Sequence, residues 1–236
     1  MLKRFCIAAA AAILLSCTAT KPNISAPPSG VQPPLQTSPL HLPPAGTYHI
    51  DPSRSELRLL VYRAGALANL GHNHVILNRS VNGSISVAPT LGASSLSFSI
   101  PVSAFIVDDL QARGEEGGDF PGEVPDEAKS GTMKNMTGPA VLNSAEYPTI
   151  SVRSTRLEEL QGIPTATLAV SIAGHESTVS VPFVLGNEGR DLSANASFEL
   201  HQTSLGMTPF SLMLGALAVR DAMQVKLKVT AQLESR

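Results

Sequence analysis

Two histidines one residue apart, in the stretch "LGHNHVI" from Leu70 to Ile76, are the feature of this chain that most directly suggests chemistry. Residues i and i+2 of an extended segment point to the same side, so His72 and His74 could face one ion or one bound molecule. Two imidazoles make half of a tetrahedral zinc site. With His201 as a third ligand they would form an open site for zinc or copper. No carboxylate or cysteine stands at motif spacing to complete the set, and more than a hundred residues separate His201 from the pair. The other readings give a histidine a hydrogen bond to a loop, or to a ligand's polar head, or leave it on a wet strand face. His49 and His175 are expected on a strand edge and in a turn, and His41 in a linker.

Other constellations are missing. Serines abound, yet no Gly-x-Ser-x-Gly elbow or base-and-acid pattern accompanies them, and no Gly-rich loop leads from a strand into a helix to cradle phosphate. Paired carboxylates occur as Asp108 with Asp109, Glu115 with Glu116 and Glu158 with Glu159, at expected loops or strand ends where solvated charge is the ordinary use. The chain is therefore read as a non-enzyme, with no catalytic residue and no cofactor.

Composition narrows the class further. Net charge is −2 and Trp is absent, so neither a basic nucleic-acid footprint nor stacking platforms are expected. The opening "MLKRFCIAAAAAILLSC" has two cations, an apolar run and small residues, the pattern of a secretory signal rather than a membrane span. Its end, "LLSC", resembles the lipobox of bacterial lipoproteins, which would make 1–16 a signal peptide and Cys17 the site of lipid attachment. Thr18 lacks the aspartate that retains some lipoproteins in the inner membrane. The expected address is the periplasmic side of the outer membrane. The remaining cysteine, Cys6, would leave with the signal, so the mature domain has no disulfide and must rest on a packed core. Residues 17–45 are rich in Pro, Ser and Thr and read as an extended tether; 46–236 are enough for one domain.

Within that domain the dominant period is two. Leu57, Leu59 and Val61 share a face, as do Leu96, Phe98 and Ile100; Leu168 and Val170, then Val181 and Phe183, then Phe198, and finally Leu227 continue the pattern. Such alternation gives strands with one buried and one wet face, the mark of an antiparallel sheet closed as a barrel or curled sandwich. Turns are expected at Val81–Ser84, His175–Thr178 and Gly186–Asp191. One segment, Pro125–Met136, breaks the period and reads as a short helix lying as a lid against the sheet, while "RGEEGGDFPGEV" before it reads as an acidic loop. The twelve apolar residues named above are expected to line the interior. Small residues among the inward positions (Ala166, Ala194, Ala196) would leave unfilled volume there, unless they pack closely and fill it.

Four stretches in order, Tyr48–Gly65, Ser97–Asp109, Asn143–Ser154 (with a Tyr-Pro pair before a strand) and Leu200–Val229, resemble the YceI-like family of secreted or periplasmic lipocalin-like barrels. Gly71–His74 is similar to a subgroup with a Gly-His-x-His turn. The resemblance implies an all-β fold: an extended, antiparallel, eight-stranded lipocalin-like β-barrel with one short helix, holding a hydrophobic or amphiphilic small molecule, isoprenoid- or lipid-like, by its tail. His72, His74 and His201 would then be polar groups at its mouth. The competing readings are a periplasmic zinc or copper protein using His72 and His74, and a structural or partner-binding domain with a filled core.

Overall fold

A computed structural model describes residues 40–188 and 190–235. The signal segment, Cys17 and most of the tether lie outside the described residues. The domain is built of β1 (Gly46–Ile50), β2 (Glu56–Val61), β3 (Arg63–Ala64), β4 (His74–Asn78), β5 (Asn82–Val87), β6 (Ser95–Pro101), β7 (Phe105–Val107), α1 (Leu110–Glu116), α2 (Asp126–Thr137), β8 (Thr149–Leu160), β9 (Ile163–Ile172), β10 (His175–Pro182), β11 (Val184–Glu188), β12 (Asp191–His201), β13 (Ser211–Leu212), β14 (Leu217–Val219) and β15 (Ala222–Leu233).

The all-β, antiparallel class is as the alternation required, but the described residues hold fifteen strands rather than eight: three long runs are broken, the run after β9 divides into β10 and β11, and three short strands form a second sheet. β1 and β2 both pair with β15, yet Pro52–Arg54 loop out between them in a tight turn capped by Asp51, which accepts from the Ser53 N–H. Proline has no N–H for a ladder and suits the first position of a helical turn. β4 and β5 are parted where the buried Asn78 accepts the Ser80 N–H; β6 and β7 are parted by a turn after Pro101. The Asn78 side chain donates to the Pro101 carbonyl at 2.9 Å, so these two breaks are tied together. A row of interruptions across neighbouring strands is a corner at which the sheet bends.

The ladder runs β10-β9-β8-β6-β5-β1-β15-β2-β4-β7, with β12 on the other edge of β15 and β11 on β12. After Phe183 the chain leaves β9 and, as β11, pairs Val184 with Asn195 through Glu188 with Asp191. The sheet thus curls back on itself, but β10 and β12 share no ladder, so it is not fully closed. A separate three-stranded sheet, β13-β14-β3, stands at one end.

Two expected turns are displaced. Gly83 lies within β5, where a Cβ would meet the Phe98 backbone, so this glycine permits close strand approach rather than a turn. The β9–β10 reversal falls on Ala173 and Gly174, both at positive φ (49° and 81°), and His175–Thr178 are already strand. Such two-residue loops need left-handed backbone that matches the twist of the flanking strands. The Gly186–Asp191 hairpin lies where its residues suggested.

Among the described residues there are two α-helices, not one. α2 covers the expected segment. The "acidic loop" begins as α1, because Asp109 caps it by accepting the Ala112 N–H at 2.9 Å. Glu115 and Glu116 are not merely solvated: Arg58 on β2 bonds both, each at 2.9 Å, and Lys226 on β15 bonds Glu116. Those contacts lay α1 on the outside of the sheet, where Ala112 and Phe120 bury the outward Leu60, Val75 and Leu77. Hence the continuous apolar run Val75–Leu77: both faces of β4 are covered. The main core lies inside, running from Tyr48 and Ile50 at one end to Met207 and Met223 at the other.

Candidate functional site: an apolar interior with one polar end

The interior is not filled. Three cavities of about 220, 110 and 90 Å³ follow one another along the axis of the curled sheet. The largest and the middle one share Leu59, Phe105, Ile150, Ile172 and Met223 as walls; the middle and the smallest share Phe98, Leu168, Val181 and Leu227. All twelve inward apolar residues read from the alternation line this space. Ala166, Ala194 and Ala196 line the smallest cavity, where short side chains leave the room.

The two ends differ. At the β1 end, Leu42 and Pro43 lie across the smallest cavity, and the Tyr48 hydroxyl, donating to the Pro44 carbonyl at 2.8 Å, ties that segment down. At the other end the wall is made by α2, the Gly71–His74 segment and Gln202–Val219, and the polar lining is Arg63, His72, His74, Thr132, Asn135 and Gln202. These include cationic and neutral groups but no carboxylate.

His74 is the most firmly placed of them. Its Nδ1 lies 2.6 Å from Asp108 Oδ2, and its Nε2 lies 3.3 Å from the Thr132 hydroxyl on α2. Asp108 is fully buried and also accepts from the Val75 N–H (2.9 Å) and Arg113 Nη1 (2.6 Å). Burial alone would raise its carboxyl pKa; the bonds from His74, Val75 and Arg113 outweigh that and hold it below the usual range. A carboxylate only accepts, so Nδ1 carries a proton and Nε2 is the group turned toward α2 and the cavity. Arg113, also buried, donates further to the carbonyls of Asn73, Pro121 and Gly122. Asp108 has φ 57°, left-handed for a non-glycine residue, and this network holds it there.

His201 does not join His74 as a ligand. The His72 ring is exposed, with its centroid 6.2 Å from that of His74. His201 pairs with Ala222 of β15, three strands from β4 and therefore about 14 Å away across the sheet, and it faces outward to Asp221 (3.2 Å). It is neither at the mouth nor beside His72 and His74. Among the described residues no group of three His, Cys, Asp or Glu side chains could hold a metal ion. His49 is exposed between two paired neighbours, not on an edge, and His175 is in a strand.

Reading the residues alone misses Asp108, which it groups with solvated carboxylates, and Arg113, which it places at the start of the acidic loop. A usable signal was Asp109, an N-cap residue followed by good helix formers, which marks α1 and so places Arg113 on a helix next to Asp108.

An antiparallel sheet curled around an elongated apolar space, its charged and ionisable lining gathered at one end, defines a lipocalin-like binding fold. A model of the YceI-like domain matches residues 48–231, and the chain belongs to the YceI-like family. No curated protein matches it in sequence. Among solved structures, BcnA of Burkholderia cenocepacia is similar at 14% identity and a TM-score of 0.58, over 78% of this chain and 99% of that one. The YceI protein of Campylobacter jejuni is similar at 10% identity and 0.47, over 66% and 82%. At these identities the likeness concerns the fold alone.

Proposed function

We propose that this protein holds a hydrophobic or amphiphilic small molecule, isoprenoid- or lipid-like, with its tail along the three cavities and its polar head among Arg63, His74 and Thr132. One observation carries the reading: the charged and ionisable groups lining the apolar space are gathered at one end, against only Ser94 and Asn195 at the other, which matches a molecule with one head and one tail. Buried hydrocarbon contributes about 0.8 kcal/mol per methylene, so a tail of about eight buried carbons supports micromolar binding after association costs. The chain's own residues supply sequestration from water and orientation, and no bond-breaking step is assigned to them.

The lipobox-like "LLSC" supports an anchor on Cys17 and a periplasm-facing address at the outer membrane, from which the domain would sequester or carry its guest. Native mass spectrometry of the purified protein tests the binding reading, together with titration by a fluorescent prenyl or acyl probe. Bound species of discrete mass and saturable probe uptake are expected. A guest-free protein that takes up neither probe refutes the reading.

A further inference from the structure

The sheet β13-β14-β3 forms a flap at the polar end of the interior. Its inner side is part of the largest of the three interior cavities, through Leu217, Ala218 and Val219. Its tip, the β13–β14 hairpin turn, is Leu212-Met213-Leu214-Gly215, and here large apolar side chains are turned to solvent: Met213 is 70% exposed and Leu214 fully so. Both have positive φ, 51° and 57°. A side chain disfavours that conformation, and Met and Leu lack the short polar group that lets Asn or Asp accept it. The backbone is thus strained in the act of presenting apolar groups outward. Leu70, 69% exposed, belongs to the adjoining turn, which is tied to the flap by the Leu67 N–H donating to the Ala216 carbonyl at 2.7 Å.

Within the two segments that build the flap and its surround the charge has one sign, although α2 brings Asp126 and Glu127 to this end and Asp221 accepts from the Thr203 N–H. The chain carries 19 Asp and Glu, yet none falls within those segments, 61–77 and 203–220. They carry Arg63, Arg220, His72 and His74 instead. Apolar tips beside exposed arginines suit an anionic bilayer, where the side chains enter the acyl region and the cations meet headgroups.

We propose that the flap tip, Leu212–Leu214 with Leu70, inserts into a phospholipid surface and sets the mouth of the interior against it, so that a guest passes between bilayer and protein without crossing water. Chain geometry permits this on the membrane of the anchor itself. Leu42 and Pro43 lie at the opposite end of the domain, and β15, 12 residues long, sets a length of about 40 Å. The chain between residue 17 and Leu42 has a contour of at most about 90 Å, more than enough to bring the far end round. The proposal goes beyond the binding reading and is tested with no guest present, so the failure of either is separately visible.

The test uses the full chain with Cys6 and Cys17 replaced by serine, an environment-sensitive fluorophore on Ser211→Cys at the tip or on Ala93→Cys at the far end, and vesicles of phosphatidylethanolamine and phosphatidylglycerol. Quenching by nitroxides on the acyl chains is expected for the label at 211 and not at 93. Adding Met213→Asn and Leu214→Asn is expected to abolish quenching at 211 without lowering Tm, since Asn tolerates positive φ. A label at 211 quenched no more than that at 93 overturns the proposal even if the double variant does not fold. Quenching that survives in the folded double variant overturns it too.

Discussion

His74 Nδ1 and Asp108 Oδ2 lie 2.6 Å apart, joining a residue that lines the cavity to a carboxylate with no solvent exposure. Behind the carboxylate stands Arg113, so the polar end of the interior is braced by a buried chain of charge-assisted hydrogen bonds from β4 to α1.

Replacing Asp108 by Asn keeps the shape but leaves the Arg113 charge buried without its counter-ion. Breaking a buried pair from one side costs about 3–5 kcal/mol. Chemical denaturation of D108N is expected to show a loss of that order, and an equal stability of variant and parent would contradict the assigned role.

The same carboxylate sets an acid dependence. Its folded pKa lies below its ordinary value of 3.8, so the unfolded chain takes up the proton first as pH falls. The contribution of Asp108 is whole above that ordinary value and is lost as pH drops toward the folded one. A stability profile from pH 7 to pH 2 should therefore steepen below about pH 4, and D108N should remove part of that slope.

Leu59 and Ile172 stand where the two larger cavities meet. Leu59→Phe with Ile172→Phe should narrow the passage and shorten the tail that fits. At about 0.8 kcal/mol per methylene excluded, long-chain probes should lose affinity by tenfold or more while short-chain probes change little. Uniform loss across chain lengths would place the guest elsewhere.

Gly83 lies against the backbone of Phe98 on the neighbouring strand. Gly83→Val should force β5 and β6 apart at a cost of about 1–3 kcal/mol, visible as a lower denaturation midpoint. An unchanged midpoint would show that the strands have slack there.

Much of this architecture was legible in the residues. Period-two alternation identified the strands, and every one of the twelve residues from Leu57 to Leu227 assigned inward faces the interior, because a sheet with one buried face admits no other register. The breaks at Arg79–Val81 and Val102–Ala104 were not legible, since each depends on a partner distant in the chain, whereas Pro52, with no N–H for a ladder, marks its own break. Nor was the separation of His201 from His74: both lie near strand ends, and only the ladder reveals the strands between them.

The sequence alone determined which side of each strand avoids water, for that is a property of local alternation and survives any arrangement of the strands. Tertiary structure decided that Asp108 and Arg113 are buried partners rather than surface charge. Their burial exists only once α1 folds back over β4, and no local pattern records which helix will cover which face.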